Sequence, residues 1–328
     1  MLDWTQLEAH AQAHKHERGY TNLHIQPAAL QAVLGSATAY QLIGNPASVR
    51  VATPSDTGRV QALAQQIMLG YIERFYDQHR LRWEGQHLRY VTLQSLPDVL
   101  PTQQSIVVRA SQRRFLQDLE TLIASQALYT SQPANIPTLY LAEHLYQPVF
   151  TEGSAAIEKA VPVVLGASEQ RFMADLKTFL ASVSLPADWQ LLILRNQSKG
   201  KGVYFWQNAG FYPDFIVWLL TPSKQHIIFI DPKGLRNLLG QFNDEKVTLH
   251  RRIKDIETQL QPTIPTTIQL DSFLDSTTSM PELRWHVQYA GNPPREATLT
   301  DYHASHIFFQ SEGSGRFRAM FARIGITL

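Results

Sequence analysis

The chain has 328 residues, 44% apolar and 17% charged, with a net charge of +1. This is enough for two domains with cores of their own and is ordinary for a globular protein. Cysteine is absent, which excludes disulfides and thiolate zinc sites. No apolar run reaches the 18 or so residues of a membrane helix. The N-terminal MLDWTQLEAH lacks a basic-then-apolar signal layout, so the expectation is a cytoplasmic protein without membrane contact.

Along the first half, Val60, Leu63, Ala64, Ile67, Met68, Tyr71, Ile72 and Phe75 recur with a helical period. Phe115, Leu119, Leu122 and Ile123 repeat the pattern. Short strands are expected at 49–52 and 105–108. His10 and His14 have a helical metal spacing, although in so polar a stretch a solvated face explains them better. Prolines at 133, 137 and 148 punctuate the end of this region. The expected division is a mainly helical connector or docking domain, 1–155, and a second domain, 156–328.

The second half changes rhythm. A helix is expected from Ser168, as N-cap, to about Ser182. Extended segments are expected at 189–194, 202–206, 211–220 and 226–231. A helix capped by Asn243 then runs to about Leu260, and a strand follows at 267–270. This order predicts an α/β fold with a mixed sheet flanked by helices, not a doubly wound parallel sheet.

Charge gathers where these elements end. From Arg195 to Asp255 ten side chains are basic and five acidic, an excess suited to a polyanion or to a solvated helix face. Asp214 follows Pro213 at the head of the apolar run FIVWLL; Asp231 ends the run IIFI, with Lys233 two residues on. Strand alternation puts Asp231 and Lys233 on one face. If the two strands are neighbours, Asp214 and Asp231 meet, and two close carboxylates call for a cation. Oxygen ligands alone suit Mg²⁺ or Mn²⁺. Pro232 is expected to mark the strand's end, with its carbonyl left as a further ligand. Glu169 lies on the apolar face of its helix, where it either serves the site or partners the helix dipole. Lys246 fills a gap in the stripe of the second helix, either snorkelling past an apolar edge or serving the carboxylate pair. Tyr204, Trp206, Phe211 and Tyr212 either stack on bases or fill the core; the core is the better reading.

Pro213-Asp214 and Asp231-Pro232-Lys233, between a Glu-bearing and a Lys-bearing helix, resemble the PD-(D/E)XK nuclease motif. The string LLILRNQSKGKGVYFWQNAGFYPDFIVWLL…QHIIFIDPKGL is similar to the C-terminal endonuclease domain of helicase–endonuclease proteins related to type III restriction subunits. LAEHLYQPVF, SEQRFMADL, LDSFLDSTT and SHIFFQSEG also look like that group, so the resemblance covers most of the chain, with residues 1–130 the weakest stretch. It implies a restriction-endonuclease-like fold and Mg²⁺-dependent hydrolysis of DNA in a restriction or antiviral defence system. Asp214, Asp231, the Pro232 carbonyl and Glu169 would hold metal, and Lys233 would face the scissile phosphate. Arg195, Asn196, Lys199, Lys201 and Lys246 would contact DNA. The related proteins carry an ATP-driven motor, and this sequence has no Gly-x-x-x-x-Gly-Lys-Ser/Thr string. The motor is then on a partner helicase, or elsewhere in a longer protein, or the nuclease works without one; a DNA methyltransferase is a further partner that the resemblance implies. The residues alone leave open a silent nuclease-fold module that binds DNA or assembles a complex, and a structural domain whose charges are ion pairs.

Overall fold

The helical periods of the first 88 residues become three helices in one compact unit, Met1–Leu88. The structure, a computed structural model, describes residues 2–36, 38–41, 50–87, 90–93, 99–101, 103–197, 203, 212–238, 241–287 and 293–328. In the first unit, α1 (Trp4–Glu17) is capped by Asp3, whose carboxylate accepts the Gln6 amide at 3.0 Å. Helix α2 (Pro27–Gly35) starts on a proline, which needs no amide there. Both share a core with α3 (Pro54–His87), formed by Leu7, Ala11, Tyr20, Leu30, Ala64, Met68 and Ile72. His14 lies 3.2 Å from Glu73 and Arg18 lies 2.7 Å from it, so His14 is engaged by a carboxylate of α3. Residues 50–52 are irregular, so no strand forms there; residue 49 lies outside the described residues.

The second unit is Arg89–Leu328. Strand β1 (Ser105–Val108) pairs antiparallel with β4 (Ile157–Val161), across the position, 155, where a domain boundary was expected. Between them lie α4 (Arg113–Ala124), α5 (Ala127–Thr130) and the short pair β2 (Thr138–Leu139) and β3 (Val149–Phe150). Helix α6 (Ala167–Ser182) precedes β5 (Gln190–Arg195), β6 (Phe215–Leu220) and β7 (Gln225–Lys233). Helix α7 (Glu245–Leu260) leads to β8 (Ile268–Ser276), and α8 (Met280–Leu283), β9 (His286–Val287), β10 (Arg295–Glu296), α9 (Leu299–Ala304), β11 (Ile307–Phe309) and α10 (Arg316–Arg323) complete the chain.

The main sheet is five-stranded and mixed, in the order β11-β8-β7-β6-β5. β5, β6 and β7 form an antiparallel meander, while β7–β8 and β8–β11 are parallel. Alternation sorts the side chains into two layers. Leu191, Ile193, Phe215, Val217, Ile228, Ile230 and Phe273 pack with α6 and α10. Leu274, Ile307 and Phe309, on the opposite face, pack with Val247 of α7. His144 bridges to Ile193 alongside β5. The half of β8 that extends beyond β11 is met by α7: Glu257 accepts the Leu270 amide at 2.6 Å and Lys254 donates to its carbonyl at 2.6 Å. Fully buried Arg316 joins Asp275 of β8, at 2.6 Å, to Asp175 of α6, at 2.6 Å. Among the described residues no helix is long and apolar enough to cross a membrane.

Several boundaries differ from expectation. The N-cap of α6 is Gly166, not Ser168, because the Glu169 carboxylate reaches back to the Gly166 amide at 2.7 Å and closes the first turn. Asp244, not Asn243, caps α7 by accepting the Lys246 amide at 2.9 Å. β8 is nine residues long, running well past 270. β6 starts at Phe215, and of 202–206 only Val203 is among the described residues, outside any strand. Pro232 does not end β7, which stays paired with β8 through Lys233↔Ser276. The Lys233 carbonyl accepts the Thr277 amide at 3.0 Å, so it faces β8. Backbone alternation then turns Pro232 to the other side, where β6 pairing has already stopped at Phe215↔Ile230. The missing proline donor leaves no gap in a ladder there.

Candidate active site

The register of β6 on β7 places Asp214, one residue before β6, across from Asp231. Asp214 is positioned through its backbone: its carbonyl accepts the Asn196 amide at 2.8 Å. Burial, then the Asp231 charge and hydrogen bond, then Glu169, push the Asp214 carboxyl up to about 8, with Arg195 opposing. Asp231 is 7% exposed. Lys233 Nζ lies 3.3 Å from its Oδ2, an ion-pair distance, yet that buried oxygen accepts no well-formed hydrogen bond. Lys233 and Asp231 therefore share a face as alternation requires. Burial works against the Lys233 charge, but Asp231 outweighs it and the ammonium is held above its ordinary range.

Lys246 lies in the first turn of α7, near enough to Lys233 for the two amines to affect each other. Burial first, then the close approach of Lys233 and its charge, push Lys246 below its ordinary value.

Glu169 and Arg195 lie on the α6 face of the sheet and hold each other. Arg195 Nε donates to Glu169 Oε1 at 2.9 Å and its second terminal nitrogen to Oε2 at 3.1 Å. The guanidinium also donates to the Val163 and Val164 carbonyls. Tyr146 also meets Arg195, and burial pushes its phenol up to about 12. His144 accepts the Arg195 amide at 3.0 Å, and burial pushes this imidazole down to about 4. Arg195 is thus an internal clamp. Glu169 reaches Asp214 by its charge. Asn196 is also used internally: its amide nitrogen donates to Pro213 at 2.9 Å and to Val203 at 2.6 Å, and its oxygen accepts the Val203 amide at 2.9 Å. Lys199 and Lys201, with the rest of 198–202, lie outside the described residues, as do Tyr204, Trp206 and Phe211.

The structure therefore brings together Asp214, Asp231, Lys233 and Lys246, with Glu169 and Arg195 paired behind Asp214. Among the described residues no group of three or more His, Cys, Asp or Glu side chains is placed to hold a metal ion. The fit to a divalent cation is instead that of a two-carboxylate site. Burial and the Asp231 charge disfavour the anionic form of Asp214, and the buried Oδ2 of Asp231 is met by Lys233 at 3.3 Å without a well-formed hydrogen bond. The Pro232 carbonyl, turned to the side where β6 has ended, is a third oxygen of the right class. No protein-family model, curated protein or solved structure matches this chain.

Proposed function

We propose that the chain is a Mg²⁺-dependent endodeoxyribonuclease with a PD-(D/E)XK site on a restriction-endonuclease-like sheet. The observation that carries this reading is the buried Asp214–Asp231 pair at the end of the β6–β7 ladder, with Lys233 3.3 Å from Asp231. Asp214, Asp231 and the Pro232 carbonyl would hold a divalent cation, for which Mn²⁺ can substitute. When bound, that cation supplies Lewis acidity at the phosphate and eases deprotonation of water. Lys233 donates to the phosphate oxygens as negative charge grows on them in the transition state. Glu169 contributes its charge from behind Asp214, and Arg195 holds it in place. Phosphate contacts without base readout are proposed for Lys199 and Lys201. The partners in this reading are DNA, a helicase or ATPase motor, and a DNA methyltransferase of the same defence system.

One observation favours a second reading, a module that binds DNA without cutting it: both oxygens of Glu169 are taken by Arg195, so that carboxylate is not available as a direct metal ligand in this arrangement. Supercoiled plasmid incubated with the protein and Mg²⁺ or Mn²⁺ separates the two. Nicked and linear products that disappear with chelator support the nuclease; retarded but intact plasmid supports the silent module.

A further inference from the structure

β5 lies at the edge of the main sheet, so every second residue along it turns its backbone amide and carbonyl away from β6 and needs partners from elsewhere. Ile193 finds both in the segment alongside: its amide donates to the Glu143 carbonyl at 2.8 Å and its carbonyl accepts the Leu145 amide at 2.8 Å. The next amide on that side is the one of Arg195, and there a side chain takes the place of a strand. His144 Nε2 accepts it at 3.0 Å. The other ring nitrogen, Nδ1, lies 2.7 Å from the Tyr146 carbonyl. A carbonyl only accepts, so Nδ1 carries the hydrogen and Nε2 of the neutral ring is left as the acceptor. The imidazole is buried and stands edge-on to the Tyr146 ring, 4.5 Å between centroids, which holds it in one orientation. Two contacts to the candidate site leave from the point it fixes. The Arg195 side chain grips Glu169 at 2.9 and 3.1 Å. Asn196 turns the other way, its amide donating to the Asp214 carbonyl at 2.8 Å and its side chain to the Pro213 carbonyl at 2.9 Å.

We infer that His144 is a positioning residue for the acid pair. By taking the Arg195 amide it fixes the end of β5, and through Asn196 and Arg195 it fixes Asp214 and Glu169. It touches neither cation nor phosphate and acts only through its neighbours. That this placement serves a reaction rests on the proposed nuclease reading; the placement itself rests on the hydrogen bonds alone.

The test compares His144→Asn with His144→Gln in the full chain. The Asn amide matches the near side of the imidazole, so it can donate to Tyr146 but stops short of Arg195. Gln is longer by one methylene and brings an oxygen to the place of Nε2. Followed by amide hydrogen exchange in chelator, the Arg195 and Asn196 amides should be protected in the wild type, exchange at least about tenfold faster in His144→Asn, and regain protection in His144→Gln. Val217 and Ile228, in the middle of the sheet, should be unchanged in all three. Faster exchange at Arg195 with Asn196 still protected overturns the inference, because the ring would then hold its own edge and not Asp214. Equal loss in the two variants overturns it as well. In the wild type, nitrogen NMR of the ring should show the hydrogen on Nδ1; the opposite tautomer overturns the inference without any variant. With Mg²⁺ and saturating duplex, His144→Asn should cut about 10- to 100-fold more slowly, the cost of a misplaced group, with duplex affinity within about twofold, and His144→Gln should recover most of the rate. Wild-type cutting by His144→Asn overturns the inference and leaves the nuclease standing. The expected exchange pattern in a protein that never cuts keeps the placement of Asp214 and removes the nuclease reading instead.

Discussion

Asp214 and Asp231 face each other where the β6–β7 ladder stops, and burial, followed by the Asp231 charge, pushes the Asp214 carboxyl up to about 8. A folded-state pKa above the unfolded value of about 3.8 means that the native protein holds a proton the unfolded chain has released. Stability from this group is therefore present at low pH and lost as pH rises towards about 8. Buried histidines work the other way below their ordinary value of 6.5, since His144, His226 and His306 resist protonation in the fold. The window in which Asp214 dominates thus lies above about 6.5. In chelator, the melting temperature should fall from pH 6.5 to 8, and Asp214→Asn should flatten that fall. An equally steep fall in Asp214→Asn would remove the Asp214 proton.

Cation binding to the pair must displace that proton. Mn²⁺ affinity, followed by calorimetry, should tighten from pH 6 towards pH 8, by up to about tenfold per unit for one proton released. Affinity independent of pH across this range contradicts a site at Asp214.

Glu169 separates two roles in one variant. Glu169→Gln keeps the shape but removes the negative charge from the Arg195 clamp, whose two bonds are 2.9 and 3.1 Å long. The variant should lose on the order of 1.5–3 kcal/mol of stability, the worth of hydrogen bonds to a charged group. Cleavage at a temperature where it is folded should fall at least about tenfold, roughly 1.4 kcal/mol in transition-state stabilisation. Reduced stability with full cutting would make the residue a clamp alone.

Arg316 tests the scaffold apart from the site. It is fully buried between Asp275 and Asp175, both at 2.6 Å. Arg316→Met strands a fully buried carboxylate and should cost about 3–5 kcal/mol in urea unfolding. A loss below about 1 kcal/mol would mean that Asp275 finds another partner or takes up a proton.

Much of the site was legible because it depends on local pattern. FIVWLL and IIFI read as buried strands, the aspartates stood at their ends, and period-two alternation put Lys233 beside Asp231. What the sequence could not show was set by distant partners. Arg195 looks like a surface cation until Glu169, 26 positions earlier, closes on it, and Asn196 looks available until Pro213 and Val203 take its amide. Tyr146 carried no signal, since only folding brings its hydroxyl to Arg195. The proline at 232 misled because the ladder it would interrupt had already ended on that side.

The most direct measurement is plasmid cleavage by wild type and Asp231→Asn, purified in parallel and matched for melting temperature and DNA affinity. That substitution keeps size and one oxygen but removes the charge that the cation and Lys233 require. The account predicts Mg²⁺-dependent nicking and linearisation by the wild type, with none above background by Asp231→Asn. Equal cutting by the two proteins would contradict it.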